Sequence, residues 1–163
     1  EFLTTNRPAP RDYLPGLNMS IDGTVIEQVG VMDDRLHRVE DIDWTTRMRR
    51  EGFQPFLWPA AALLHRHNRT TLQQVWYDCA SSGSRMRLVR LHFRDMLQAP
   101  RILEYPKLVL LLSPFIAAWT TARIVARQPK TFARFWHTLP AIYLTKIAWC
   151  WGASRGEGSY AIS

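Results

Sequence analysis

Two groups of side chains suited to chemistry lie close together in the sequence. The first is an acidic cluster of Glu40, Asp41 and Asp43, at the start of a predicted helix. The second is a histidine pair, His65 and His67, at the end of a predicted short strand. A carboxylate can take a proton from a reacting group, and a neutral imidazole can complete a divalent-metal site built mainly from carboxylates. The two clusters therefore predict a general base and a metal ligand.

Several predicted elements position these side chains. A helix beginning near Val39 places the carboxylates in its first turn and Arg47 in its last, an order of charge that favours a helix. Gly52 is suited to its end. Asp22 is a suitable N-cap for a shorter helix that Gly30 stops. Short strands are predicted at residues 17–21, 53–58 and 61–65.

The second half of the chain is basic and then apolar. Thr70 or Thr71 can cap a long amphipathic helix that runs to about Leu97. Its arginine group consists of Arg85, Arg87, Arg90, Arg94 and, just beyond the helix, Arg101. Residues 108–122 contain no charge, and residues 136–151 form a second apolar stretch. Both are shorter than the ~20 residues needed to cross a bilayer, so in-plane helices or a re-entrant hairpin suit their length.

Composition limits the classes of function without selecting one. The 163 residues are 47% hydrophobic and 21% charged, as in an ordinary globular chain. The net charge of +7 suits anionic lipid headgroups, sugar diphosphates or nucleic acid as partners. Cys79 and Cys150 lack the spacing of a zinc site or a disulfide framework. No basic-then-apolar leader is visible at the start of the sequence.

Five weak motifs follow one another in a recognisable order. They are Gly16-Leu17-Asn18-Met19-Ser20, then Gly30-Val31-Met32-Asp33-Asp34, then Glu40, Asp41, Asp43 and Arg47 as a set, then Gly52-Phe53 with Pro59, and finally His65. In order and spacing they resemble the C-terminal half of family 2 glycosyltransferases of the GT-A fold. Gly30-Val31 departs from the Gly-Gly of that family. The Gln-x-x-Arg-Trp motif of its processive members is missing, which favours transfer of single sugars.

The resemblance implies an α/β fragment. It would be the C-terminal half of a GT-A, nucleotide-diphospho-sugar transferase domain, followed by a mainly helical basic and apolar tail like that of bacterial membrane-associated members. The expected segments are a catalytic part at residues 1–69, an amphipathic basic helix at 70–104 and an apolar membrane-associated tail at 105–163. The donor-binding half of the family, with its Asp-x-Asp metal motif, would precede residue 1. This piece alone is therefore expected to be inactive.

The resemblance also implies roles for individual side chains. Asp41, with Glu40 beside it, is expected to be the base that takes the proton of the acceptor hydroxyl. His65 is expected to contact either the divalent metal, Mg²⁺ or Mn²⁺, or the diphosphate of the donor, with His67 as second choice. Substrate contacts are implied for Asn18, Asp33, Asp43 and Arg47.

Plainer alternatives exist for all of these residues. An acidic first turn also serves simply to cap a helix. Asp43 and Arg47, four residues apart, can pair along the helix instead of contacting a ligand. A His-x-His sequence is also ordinary at the polar end of a strand. Asn18 is equally suited to a structural turn, and Asp33 is typical of a solvated loop.

The resulting prediction is an inverting transfer of a sugar from a nucleotide-diphosphate donor to a lipid-linked or cell-envelope glycan acceptor. A divalent metal is the implied cofactor, and the cytoplasmic face of the inner membrane is the implied location. The alternative from another class is a non-catalytic, basic amphipathic helical module that docks on membranes. Nucleic acid is not an expected partner, because no nucleic-acid-binding motif accompanies the charge.

Overall fold

The computed structural model of the chain describes residues 7–16, 18–61, 64 and 69–156. Helices make up 65% of the structure, and two short strands among the described residues form one small sheet. The α/β class expected from the sequence is therefore wrong, and the described part of the protein is mainly helical. It folds as two compact units. The first contains the described residues up to 64 together with 93–98, and the second contains residues 69–92 and 99–156.

The first unit is organised around two helices. Its elements are strand β1 (Ala9–Pro10), helix α1 (Gly23–Val29), helix α2 (Glu40–Arg50) and strand β2 (Phe56–Leu57). Asp22 caps α1 by accepting a hydrogen bond of 2.9 Å from the Thr24 amide, and Gly30, at a φ of 79°, ends it. The first turn of α2 is acidic and its last turn is basic. Both helices were predicted, and both are confirmed.

Apolar residues expected to form strands pack against α2 instead. Val25, Trp44 and Met48 form a buried cluster, and Met19 and Ile21 lie against it. This packing gives the apolar residues of the predicted first strand a buried environment without a strand partner. Residues 18–21 accordingly form no strand.

Two residues of the second predicted strand, at 53–58, form part of the small sheet. Phe56 and Leu57 pair antiparallel with Pro10 and Ala9, respectively. Pro10 lacks a backbone N–H for the ladder, and beyond the two pairs the Arg11 nitrogen donates a hydrogen bond of 2.9 Å to the Pro55 carbonyl oxygen. The third predicted strand, at 61–65, lies largely outside the described residues.

Among the described residues, the second unit contains five α-helices. They are α3 (Leu72–His92), α4 (Pro106–Leu111), α5 (Ser113–Arg127), α6 (Pro129–Arg134) and α7 (Leu139–Arg155). Each of the last four has a proline at its first or second position, where the fixed φ and the missing N–H favour a helix start. None of the helices in the described part of the chain is both long and apolar enough to cross a membrane.

The long basic helix ends earlier than predicted, at His92 rather than Leu97. Residues 93–98 form turns and belong to the first unit. There Phe93 is buried, and the Arg50 guanidinium carbon lies 5.7 Å from the centroid of its ring. Packing of Phe93 therefore prevails over the helical periodicity of the local sequence.

Helix α7 forms the centre of the second unit, since it packs on α3, α4 and α5. Its crossing with α3 depends on two glycines. A Cβ added to Gly152 would lie 1.8 Å from the Ala80 carbonyl oxygen, and one added to Gly83 would lie 2.1 Å from that of Trp149. The two helix backbones are therefore in direct contact, at a distance that only glycine permits.

Candidate active site

Asp41 lies in the first turn of α2 and is held by two backbone amides. Its Oδ2 accepts a hydrogen bond of 2.9 Å from the Gly16 nitrogen, and its Oδ1 accepts one of 2.8 Å from the Ile42 nitrogen. The loop approaches closely, because a Cβ at Gly16 would lie 3.4 Å from the Asp41 Cβ. The first and third motifs of the sequence thus meet at one carboxylate.

Burial raises the pKa of Asp41 above its ordinary value, because removal from water disfavours the charged form. The amide hydrogen bonds from Gly16 and Ile42 lower the pKa, and the negative charge of Glu40 raises it further. The net direction is upward. Asp41 is therefore a stronger base than an exposed aspartate, and its orientation is fixed by the same two amides.

Glu40 places a second carboxylate beside the first. Its side chain is half-buried, and its Oε2 is buried without a hydrogen-bond partner among the described residues. A buried acceptor without a donor is destabilising, by about 1–3 kcal/mol or more for a charged group. The enclosed Glu40 oxygen therefore adds negative charge and an unsatisfied acceptor beside Asp41.

Asp43 and Arg47 form a buried ion pair on the inner side of α2. Arg47 Nε donates a hydrogen bond of 2.9 Å to Asp43 Oδ2. The exposed fraction is 8% for Arg47 and 0% for Asp43. Arg47 Nη1 and Nη2 donate to the carbonyl oxygens of Val29 and Val31 at 2.6 and 2.8 Å. Pairing along the helix, one of the two alternatives for these residues, is thus present. The geometry gives Arg47 the role of holding the segment after α1 against α2.

The same segment is held by a tryptophan. Trp44 Nε1 donates a hydrogen bond of 2.8 Å to the Gly30 carbonyl oxygen. Asp33, farther along the segment, accepts hydrogen bonds from the Arg35 side chain, and this contact lowers the pKa of the Asp33 carboxyl. In this structure Asp33 is engaged by Arg35, and its predicted contact with substrate stays a prediction.

Asn18 connects the first motif to the segment that leads to the histidines. Its Nδ2 donates a hydrogen bond of 2.8 Å to the Ala61 carbonyl oxygen. His65 and His67 themselves lie outside the described residues. The side chain of Asn18 therefore links two loops by a hydrogen bond.

The described residues do not provide a set of ligands for the expected divalent cation. Among residues 7–16, 18–61, 64 and 69–156, no group of three or more His, Cys, Asp and Glu side chains is placed to hold a metal ion. Both oxygens of Asp41 already accept amide hydrogen bonds. The metal and the role of His65 stay predictions.

A cavity of about 250 Å³ lies elsewhere in the first unit. Its lining includes Val25, Thr45, Met48 and Phe53, but neither Glu40 nor Asp41. Because Val25 and Met48 also belong to the buried apolar cluster, we interpret the cavity as an opening beside the core. The carboxylates of Glu40 and Asp41 remain the candidate site.

Sequence reasoning missed several of the groups that build this site. It identified Asp41 but not the Gly16 amide that orients it, and it assigned no role to Trp44. The glycine in the first motif was the available signal for a close approach of backbone. Nothing in the sequence indicated that Arg47 would bind the carbonyls of Val29 and Val31, because these contacts depend on the tertiary fold.

Comparisons of the chain with known protein families, with curated proteins and with solved structures give no match. The resemblance to family 2 glycosyltransferases therefore stays a prediction from the order of the sequence motifs.

Proposed function

We propose that this chain contributes the catalytic base of an inverting glycosyltransferase, and that the base is Asp41. One observation carries the proposal: segments from three of the motifs are joined by hydrogen bonds at helix α2. Gly16 of the first motif donates to Asp41 of the third, and Trp44 and Arg47 bind the backbone around Gly30 of the second. The first three motifs, which match the family only by their order in the sequence, are thus joined at helix α2.

The chemistry of sugar transfer gives Asp41 a defined task. The oxygen of an acceptor hydroxyl forms a bond to the anomeric carbon of the donor sugar while the bond from that carbon to the nucleoside diphosphate breaks. The hydroxyl proton passes to the Asp41 carboxylate, and the diphosphate leaves with the bonding electron pair. Attack opposite the leaving group inverts the anomeric configuration.

The environment of Asp41 supports this task in two ways. Its raised pKa increases its affinity for the acceptor proton. The amide donors on Oδ1 and Oδ2 occupy one acceptor position on each oxygen, and an ionised carboxylate has about four such positions. Positions for an acceptor hydroxyl therefore remain.

Glu40 supports Asp41 rather than replacing it. Its negative charge raises the pKa of Asp41. A carbohydrate supplies the acceptor hydroxyl that Asp41 deprotonates. We propose a lipid-linked or cell-envelope glycan as this acceptor and a nucleotide-diphosphate sugar as the donor.

The test compares two isosteric substitutions in the full coding context of the chain. Asp41→Asn removes the base, and Asp95→Asn removes an exposed carboxylate of the same unit. Release of nucleoside diphosphate is measured with a panel of nucleotide sugars and a glycolipid extract as acceptor. We expect Asp41→Asn to lower the rate by a factor of about 10²–10⁴ and Asp95→Asn to leave it unchanged. Wild-type rates in the Asp41→Asn protein, with its helical content preserved, would refute the assignment.

A further inference from the structure

The outward side of helices α4 and α5 carries a row of large apolar side chains. We call Leu108, Leu111, Phe115 and Trp119 the apolar face. Their exposed fractions are 40%, 72%, 73% and 68%. Their spacings of three and four residues place them on one side of successive helical turns. The opposite side of the same helices packs inward through Val109, Ser113 and Ala117, which are buried.

Cationic residues flank this face in the sequence, and none lies within it. The sequence between Lys107 and Arg123 contains no charged residue, and Arg127 follows one turn later. No Asp or Glu occurs between Glu104 and Glu157. The cations of the same stretch are Lys107, Arg123, Arg127, Lys130, Arg134, Lys146 and Arg155.

We propose that the apolar face docks on an anionic phospholipid surface, with α4 and α5 lying in the plane of the interface. Phe115 and Trp119 enter the boundary between headgroups and acyl chains, where aromatic side chains are favoured. Lys107, at one end, and Arg123, at the other, contact the lipid phosphates. This proposal concerns the second unit alone and does not depend on the proposed sugar transfer.

The distribution of charge favours lipid over a second copy of this chain. In a two-fold dimer the face would meet itself, so each cationic end would lie against a cationic region of the partner copy. The stretch from 105 to 156 offers no carboxylate to compensate this repulsion. Anionic headgroups provide the missing negative charge, and acyl chains cover the aromatic side chains. An exposed apolar row of this kind is itself uncommon on a soluble surface.

Vesicle sedimentation tests the proposal with the full chain. Binding to phosphatidylcholine vesicles is compared with binding to vesicles that also contain phosphatidylglycerol. The double variant Phe115→Ser, Trp119→Ser is compared with the control Leu72→Ser, Tyr77→Ser, which removes two exposed apolar residues from α3. We expect binding to need phosphatidylglycerol, to weaken with salt, to be lost in the first variant and to persist in the control.

The proposal also predicts how much each arginine contributes to vesicle binding. Arg123→Gln and Arg127→Gln should each weaken binding about fivefold, as expected for removal of one cation at an anionic surface. Equal binding to both kinds of vesicle, or unchanged binding of the Phe115→Ser, Trp119→Ser protein, would overturn the proposal. So would a wild-type dimer that does not bind vesicles and that this double variant converts to a monomer, because the face would then join two copies.

A conservative variant keeps the test valid if the double variant fails to fold. Trp119→Phe retains an aromatic ring, and brominated lipids quench the fluorescence of indoles that enter the bilayer. We expect the wild type to show quenching that Trp119→Phe largely loses. Quenching that is the same in both proteins would show that Trp119 stays out of the lipid, and would contradict the proposed orientation.

Discussion

The amide nitrogen of Gly16 lies 2.9 Å from Oδ2 of Asp41, a residue 25 positions later in the chain. This hydrogen bond places a loop of the first unit over the N-terminal turn of α2. It leaves the carboxylate partly removed from water and fixed in orientation. These two properties are what the proposed base requires, since burial raises its pKa and orientation aligns it with a proton donor.

Asp41 should make the stability of the protein depend on pH. Its pKa in the folded chain is above the ordinary value of 3.8, so the folded form binds the proton more tightly than the unfolded form. The contribution of Asp41 to the free energy of unfolding is therefore most favourable below the unfolded pKa and declines as pH rises through the folded pKa. The measurement is urea unfolding from acid to neutral pH. As pH rises from the unfolded to the folded pKa of Asp41, the free energy of unfolding of Asp41→Asn should increase relative to that of the wild type. Above the folded pKa this difference should stay constant. A difference that is independent of pH would contradict the raised pKa.

Removal of the Arg47 side chain should strongly destabilise the first unit. Arg47→Ala removes the cation that pairs with the buried carboxylate of Asp43, and it also frees the carbonyls of Val29 and Val31. Loss of one member of a buried pair costs about 3–5 kcal/mol. Denaturant unfolding measures this loss. The control Arg35→Ala, which breaks an exposed pair with Asp33, should change the free energy of unfolding little, and similar effects of the two substitutions would count against the role of Arg47.

The crossing of α3 and α7 should not tolerate a methyl group. Gly152→Ala puts a Cβ within 1.8 Å of the Ala80 carbonyl oxygen, and forced separation of packed elements costs about 1–3 kcal/mol or more. The matched substitution Gly23→Ala meets nothing within 4 Å and should stabilise the protein by about 0.4–1 kcal/mol. Urea unfolding of both variants checks the signs. A stable Gly152→Ala protein would contradict the close crossing.

Local sequence signals predicted the helices well and the sheet badly. Asp22 and Gly30 mark the ends of α1, and charge order marks α2, because capping and dipole interactions act within one or two turns. Strand formation depends on a distant partner. Residues 53–58 have a strand-like composition, but in the described part of the chain the ladder pairs just Phe56 and Leu57 with Pro10 and Ala9. The α/β class was inferred from the motifs of a family, and the described residues do not form its sheet.

The sequence predicted which residues of the candidate site could take part in chemistry, but it did not predict how the fold arranges them. The types and order of residues singled out Asp41 and its neighbour Glu40, because carboxylates at a helix start are visible in the sequence. The pKa of Asp41 depends on burial beneath the Gly16 loop, which is a tertiary property. Arg47 was a candidate ligand contact, yet its three donor atoms are directed at Asp43, Val29 and Val31.

The most direct test of the central claim is the pH dependence of kcat/KM for sugar transfer in the wild type, Asp41→Asn and Glu40→Gln proteins. In the wild type we expect activity to fall on the acid side as Asp41 becomes protonated. Glu40→Gln removes a charge that raises the pKa of Asp41, so it should move this acid limb to lower pH, whereas Asp41→Asn should abolish the limb along with most of the rate. An acid limb that stays in place in the Asp41→Asn protein would contradict the claim that Asp41 is the base.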